Sequence, residues 1–174
     1  MIVSRYDLER PRMALPTNLT GEIEPGQWRE SYDRLLSVGA STCLILAAHN
    51  SYTHKGLMGH FSNLVAPRSG ITTHEAEFQQ AVDTLPKLGR ITHTDIWLGG
   101  AAPFIEEDTD TNVPNRDKAA EVIQEYLRGR RLSAERHLTI DWSEPGMVID
   151  AQLFCRRDGA LVIDRYPEMV EPTS

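Results

Sequence analysis

The sequence contains few cysteines and no concentration of basic charge. Its 174 residues include two cysteines, Cys43 and Cys155, which are too few for a disulfide framework, so each unpaired thiol either fills the core or takes part in chemistry. The net charge of −7 argues against nucleic acid or an anionic membrane as the main partner, because both would require a concentrated basic surface. Only Arg128, Arg130 and Arg131 cluster, which is typical of a solvated helix end.

The sequence also lacks a long hydrophobic run. Its opening, "MIVSRYDLERPRMALP", carries charges throughout and includes no apolar stretch of signal-peptide length, and no later run approaches a membrane span. We therefore expect a cytoplasmic protein without membrane insertion. The length and the hydrophobic fraction of 40% are sufficient for one globular domain with a substantial core.

Composition divides the chain into three parts. Residues 1–27 are rich in Pro, Gly, Thr and Glu, as in "PTNLTGEIEPGQW", and predict an irregular lead-in. A single folded domain is predicted over residues 28–168, followed by a short tail at 169–174.

The folded part alternates predicted strands and helices. "CLILAA" has the length and composition of a buried strand, and "ITHTDIWLGGAAPF" predicts a strand that runs into a Gly-Gly loop. "GMVIDAQLFCRRDGALVIDRY" predicts two strands joined by a loop that carries Asp158 and Gly159. Together with two helices these strands predict a chain of mixed α and β structure.

Both helices are predicted from apolar spacing. In "TTHEAEFQQAVDTLPKLG", Thr72 and Glu75 occupy capping-box positions and Gly89 closes the helix. "NRDKAAEVIQEYLRG" is amphipathic and has Gly129 as a candidate C′ residue. Its apolar stripe consists of Ala119, Val122, Ile123, Tyr126 and Leu127.

Cys43 and His60 are the first candidates for chemistry. A cysteine nucleophile needs a neighbouring imidazole or helix end to lower its thiol pKa, and the glycine-flanked His60 could serve. Gly39 lies on a sharp turn before Cys43, where backbone N–H groups could converge on an oxyanion. From the residues alone, a buried core thiol and a core histidine explain the same pattern.

The motifs around these two residues resemble the CheD family of bacterial chemoreceptor glutamine deamidases. "SVGASTC" and "GLMGHF" are similar to that family's T-x-G-x-G-S-C and G-x-M-x-H-F blocks, with Ser37 at the threonine position. "DIWLGGAAPF", "NRDKAAEVIQEYLRG" and "DAQLFCRRDGALVI" are similar to later family segments, so the resemblance covers residues 35–165 in order. Ser41 and Thr42 depart from the family's glycine and serine, which indicates a divergent member.

The resemblance implies a fold, an activity and a site. The implied fold is an α+β sandwich of mixed β-sheets with flanking helices, as in cysteine hydrolases related to the cytotoxic necrotizing factor catalytic domain. The implied reaction converts a protein-bound glutamine side chain to glutamate through a thioester on Cys43, with His60 as base and acid and Ser37 orienting the imidazole. No metal or organic cofactor is implied.

The resemblance also implies substrate contacts and partners. Ser41, Thr42 and Gly59 are the candidate substrate-binding residues, although Ser41 and Thr42 could equally satisfy a tight turn through local hydrogen bonds. The implied substrate is a chemoreceptor cytoplasmic segment, with glutamyl methyl esters as a second possible substrate and a CheC-type phosphatase as a possible partner.

Several alternatives stay open. The chain could be a noncatalytic CheD-like binding module in chemosensory signalling, as its altered loops would allow. His49, His54 and His60 match no recognised metal-ligand spacing and are expected at the surface. Cys155 is expected to be packing, and Asp95 and Asp141 are either substrate-binding or simply strand-flanking polar residues.

Overall fold

Two β-sheets and a layer of helices make up the computed structural model, which describes residues 1, 3–6, 21–156 and 158–169. The strands of these residues are β1 (Val3–Tyr6), β2 (Gln27–Ser31), β3 (Arg34–Ala40), β4 (Leu44–Asn50), β5 (Gly56–Phe61), β6 (Thr94–Gly100), β7 (Ile105–Glu106), β8 (Thr109–Asp110), β9 (Leu138–Trp142), β10 (Met147–Phe154) and β11 (Ala160–Pro167). The helices are α1 (Glu75–Thr84), α2 (Val113–Gly129) and α3 (Ala134–His137).

The strands form two larger sheets and one short hairpin. The first sheet has the order β1-β11-β10-β3, and the second has the order β2-β5-β4-β6-β9. Pairing is antiparallel except between β1 and β11 and between β6 and β9, and β7 pairs only with β8. The chain passes from the first sheet to the second in the short turn between β3 and β4, so this turn brings residues of both sheets to one end of the sandwich.

Strand β4 lies at the centre of the second sheet and is buried along its whole length. Its alternate side chains serve two separate cores, with Leu44 and Leu46 facing the helices and Ile45 and Ala47 facing the first sheet. A strand buried on both faces has a continuous apolar sequence, which explains why "CLILAA" has no polar alternation.

The core between the second sheet and the helices is built from the apolar stripes of α1 and α2. Phe78 of α1 packs edge-on against Phe61 of β5, with ring centroids 5.2 Å apart. Burying each such ring contributes on the order of 1.5–3 kcal/mol. The buried apolar positions of α2 are Ala119, Ile123 and Leu127, and the other two residues of its predicted stripe, Val122 and Tyr126, are partly buried against the same core.

The predicted α+β sandwich with flanking helices is confirmed, and several local predictions need correction. Val3–Tyr6 forms an edge strand through parallel pairing with β11, and Ile23 is fully buried, so these residues depart from the predicted irregular lead-in. The remaining lead-in residues 2 and 7–20, and residues 170–174 of the predicted tail, lie outside the described residues.

The helix ends also differ from their predictions. The N-cap of α1 is His74 without a side-chain hydrogen bond, so Thr72 and Glu75 form no capping box. At the end of α2, Gly129 is the last helical residue and Arg131 takes the positive φ of 57°. The chain therefore turns two residues later than the position of the glycine suggests.

Candidate functional site

Ser37, Cys43 and His60 lie at the same end of the sandwich, on the face of each strand that points between the sheets. Cys43 packs against the inter-sheet core and precedes Ile45 by two positions, so the alternation of β4 places both on this face. His60 pairs with Ile45 across β4 and β5, which makes Cys43 and His60 diagonal neighbours. Ser37 reaches the same space from β3 of the opposite sheet.

A hydrogen bond joins Ser37 to His60 across the two sheets. The Ser37 Oγ lies 3.0 Å from the His60 Nδ1, and both side chains are buried. When Nδ1 carries the proton and donates it to Ser37, the opposite nitrogen, Nε2, is left as a hydrogen-bond acceptor. This contact fixes the ring orientation that a general base needs.

His60 Nε2 is buried and has no hydrogen-bond partner in the described residues. The Cys43 thiol, which is partly exposed, forms no hydrogen bond with it in this structure. Catalytic hydrogen bonds are often long in the absence of substrate and tighten when it binds, so a Cys43–His60 pair would have to form on substrate binding. An unpartnered buried nitrogen otherwise costs free energy.

Burial moves the pKa values of Cys43 and His60 in opposite directions. It raises the pKa of the Cys43 thiol. It lowers the pKa of the His60 imidazole; the Ile23 carbonyl opposes this shift, whereas nearby His74 adds to it. Both groups are therefore neutral near pH 7, and His60 is available as a base but not as a resting imidazolium.

The structure gives the Gly39 N–H a role that differs from the predicted one. Gly39 has a φ of 70°, and its N–H donates to the Asp150 Oδ1 at 2.8 Å. Tyr166 donates its hydroxyl to the same oxygen at 2.9 Å. Because Asp150 already accepts the Gly39 N–H, Gly39 anchors the turn and does not supply the expected oxyanion donor.

The N–H groups of Thr42 and Cys43 are the remaining candidates for oxyanion donors. Among the described residues, neither donates a hydrogen bond. The carbonyls of Ser41 and Cys43 both accept backbone hydrogen bonds, from the Ala102 N–H at 3.0 Å and from the Ala101 N–H at 2.7 Å. The turn is thus fixed in place while two successive N–H groups stay available to a negatively charged oxygen.

A groove of about 250 Å³ opens beside Thr42. It has both apolar and charged walls, which include the half-exposed ring of Phe104 and the side chains of Arg68 and Glu106. The predicted substrate-binding residue Thr42 therefore lines this groove, whereas Ser37, Cys43 and His60 do not belong to its walls.

The other two predicted substrate-binding residues have different surroundings. Ser41 is partly exposed, and its hydroxyl points to Glu168 at 3.4 Å. Gly59 lies on the helix-facing side of β5, opposite to His60, where a Cβ would collide with the ring of Phe61. The glycine at this position provides space for packing and is not among the residues that line the groove.

The remaining histidine and cysteine candidates lie at the other end of the sandwich. His49 is buried, and its Nε2 lies 3.0 Å from the Cys155 carbonyl. The predicted surface positions of His49 and His60 are therefore both wrong, because each is buried in the sandwich. Cys155 is buried as predicted, and burial and nearby Asp33 raise its pKa to about 11. No group of three potential metal ligands occurs within the residues that the structure describes.

Two acidic candidates are engaged in ion pairs. Asp95 accepts from the amino group of Met1 at 2.7 Å, and Asp141 lies 2.8 Å from Arg165. Neither of them is among the residues that line the Thr42 groove. These contacts support the structural alternative for the two aspartates.

Asn112 belongs to the site but was not found from the sequence. It is buried at the beginning of α2, lines the groove and donates to the Thr42 carbonyl at 2.9 Å. An asparagine before a helix is ordinarily interpreted as a cap, so the sequence carries no separate signal for this contact.

A comparison with protein-family models finds no match, and a comparison with curated proteins finds none either. Among solved structures, the chain is similar to the crystal structure of the Bacillus licheniformis hypothetical protein YfiH, with 12% identity and a TM-score of 0.33. The similarity covers 64% of this chain and 50% of that chain, so it spans about half the length of the solved protein.

No helix within the described ranges has both the length and the apolar character needed to cross a membrane. A similarity of the size found for YfiH does not establish a common fold or activity.

Proposed function

We propose that the protein is a cysteine-dependent hydrolase that deamidates glutamine side chains in a protein substrate. The observation that carries this proposal is the Ser37–His60 hydrogen bond, which leaves His60 Nε2 unpartnered on the face of the sheet that also holds Cys43. A histidine held at one nitrogen and unpartnered at the other is the arrangement that a thiol nucleophile requires.

The proposed reaction begins with proton transfer from the Cys43 thiol to His60 Nε2. The thiolate forms a bond to the carboxamide carbon, and the carbonyl oxygen becomes an oxyanion that the N–H groups of Thr42 and Cys43 stabilise. His60 then donates its proton to the nitrogen, the C–N bond breaks and ammonia leaves. Water attacks the thioester with His60 as base, which releases glutamate and restores the thiol.

The substrate class follows from the resemblance and from the groove. The CheD-like motifs favour a methyl-accepting chemoreceptor segment, and an open groove beside Thr42 suits a side chain presented by another protein. Glutamyl methyl esters would give the same thioester, so we include them as substrates. We place this activity in the bacterial cytoplasm, where the unpaired Cys43 and Cys155 stay reduced, with a CheC-type phosphatase as a candidate partner.

A noncatalytic binding module is the second candidate function. Two observations favour it: burial raises the pKa of the Cys43 thiol, and Cys43 forms no hydrogen bond to His60 in this structure. In this case the same groove would bind a chemosensory partner without turnover.

Ammonia release separates the two functions. Purified protein is incubated with chemoreceptor cytoplasmic segments, and ammonia and the mass increase from glutamine to glutamate are measured together. We expect turnover by the parent and by Cys155→Ala, which removes the buried thiol, and none by Cys43→Ala. Tight segment binding without ammonia release by the parent would favour the binding module.

A further inference from the structure

Asn112 occupies a position from which it can control the proposed oxyanion site, and this inference rests on the proposed hydrolase function. We propose that Asn112 is a positioning residue that aims the Cys43 N–H at the oxyanion. In this role its side chain makes no contact with the reacting atoms. It acts through the peptide bond between Thr42 and Cys43.

The side-chain amide of Asn112 bridges two loops. Its Nδ2 donates to the Thr42 carbonyl at 2.9 Å and to the Ala102 carbonyl at 2.8 Å. Both acceptors are carbonyls, which can only accept, so the nitrogen and not the oxygen of the amide must face them. One buried side chain thus joins the turn between β3 and β4 to the loop after β6.

A second asparagine holds Asn112 in this orientation. Asn115 Nδ2 donates to the Asn112 Oδ1 at 2.8 Å, while the Asn115 Oδ1 accepts the N–H groups of Leu64 and Val65, each at 2.8 Å. Both asparagines are buried. A fully satisfied buried network of this kind is rigid, and a rotated Asn112 amide would lose its contacts on both sides.

The Thr42 carbonyl and the Cys43 N–H belong to the same planar peptide unit. In a trans peptide these two groups point in opposite directions, so a donor fixed on the carbonyl also fixes the direction of the N–H. The Ala102 N–H holds the preceding peptide unit in the same way through the Ser41 carbonyl. The N–H groups of Thr42 and Cys43, which lack acceptors among the described residues, thus belong to the two peptide units whose carbonyls accept these hydrogen bonds.

This geometry matters because the oxyanion forms on a carbon bonded to the Cys43 sulfur. The N–H of the nucleophile's own residue is close to that oxygen, as in other acyl-transfer enzymes. Removing one oxyanion donor typically costs a factor of about 10²–10³ in rate. Because the loss of Asn112 would misalign a donor without removing it, we expect a smaller effect, of about 10- to 100-fold.

Two reactions of Cys43 separate this role from general damage to the site. Acylation by p-nitrophenyl acetate passes through an oxyanion and is followed by p-nitrophenolate release, whereas alkylation by iodoacetamide has no oxyanion. In Asn112→Leu, acylation should fall about 10- to 100-fold, while alkylation should stay within about twofold because it depends on thiolate fraction and access. Asn50→Leu is the matched control, since Asn50 is also buried and bridges Arg90 and Thr94 at the other end of the sandwich.

A second variant covers the case in which Asn112→Leu does not fold. Asn112→Asp has nearly the same shape but places a carboxylate against two carbonyls, and only its protonated form can donate to one of them. Its acylation rate, divided by that of the parent at the same pH, should therefore rise as the pH falls. A role limited to packing would not produce this pH profile.

The outcomes distinguish the two proposals. If acylation and alkylation fall in parallel in the folded Asn112 variants, or if neither changes while the parent is acylated at Cys43, the role of Asn112 is refuted and the hydrolase proposal stands. If iodoacetamide labels Cys43 in the parent but p-nitrophenyl acetate never acylates it, the hydrolase proposal fails and the role of Asn112 fails with it.

Discussion

Replacing Ser37 with alanine tests the contact on which the proposed function depends. The Ser37 hydroxyl is the described partner of His60 Nδ1, at 3.0 Å, and His60 Nε2 already lacks one. After Ser37→Ala, the buried imidazole would lose the Ser37 partner of its Nδ1. The ring would then turn, take up a water or change tautomer, and each of these would disturb proton transfer from the thiol.

The size of the effect follows from the cost of an unpartnered buried polar group, which is about 1–3 kcal/mol. We expect the free energy of unfolding to fall by about this amount, since Ser37 and His60 are both buried. If the whole penalty were also expressed in the transition state, turnover would fall roughly 5- to 160-fold. A purely local turn role for Ser37 would leave turnover unchanged.

Two isosteric variants provide the control. Ser37→Thr keeps the hydroxyl and restricts χ1, so it should retain the activity of the parent or exceed it slightly. Ser37→Val has nearly the same shape as threonine without the hydroxyl, and it should lose turnover as alanine does. Turnover is measured by ammonia release and stability by urea unfolding. Full activity of Ser37→Ala or of Ser37→Val would refute the assignment and remove Ser37 from the site.

Three further predictions concern the thiols and the buried imidazoles. Iodoacetamide should label the partly exposed Cys43 before the buried Cys155. The labelling rate should still rise above pH 8, because burial raises both thiol pKa values. Preferential labelling of Cys155 in peptide mapping would contradict this prediction. His60→Gln should reduce turnover by a factor on the order of 10²–10⁴ without unfolding the protein, which circular dichroism would check. Unchanged turnover would exclude His60 as the base. The free energy of unfolding should decrease as the pH falls below about 6.5, because burial lowers the folded-state pKa values of His60 and His49 and the unfolded chain therefore binds protons first. Each histidine should contribute at most about 1.4 kcal/mol per pH unit. In urea titrations, His60→Gln and His49→Gln should each make this dependence shallower, and an unchanged slope would refute the contribution of that histidine.

Much of the fold could be predicted because burial leaves a direct pattern in the sequence. The run that became β4 is apolar throughout because both faces of the strand are covered, and the stripe of α2 faces the second sheet as its spacing requires. Local signals at the helix ends were less reliable. Thr72 and Glu75 had the spacing of a capping box, but α1 begins at Glu75 itself, after His74.

The site could be predicted only in part because its contacts join distant segments. The resemblance, and not the spacing, suggested that Ser37 approaches His60, and the structure places the two within hydrogen-bond distance from opposite sheets. The role expected for the Gly39 N–H was wrong because its acceptor, Asp150, comes from a strand more than a hundred residues away. The contact of Asn112 with Thr42 is equally nonlocal. Such pairings depend on the sheet topology, which periodicity alone does not determine.

Burial of Cys43 and His60 has a consequence for how the proposed enzyme would be switched on. A raised thiol pKa and a lowered imidazole pKa keep the pair neutral at rest, so formation of a thiolate and an imidazolium between the sheets is unfavourable without compensation. Bound substrate supplies that compensation, because negative charge moves from sulfur to an oxygen within reach of the Thr42 and Cys43 N–H groups. A thiol of this kind would react slowly with simple alkylating agents and faster with acyl donors. A buried core cysteine would be slow with both, so the ratio of the two rates, more than either rate alone, distinguishes a catalytic Cys43 from a structural one.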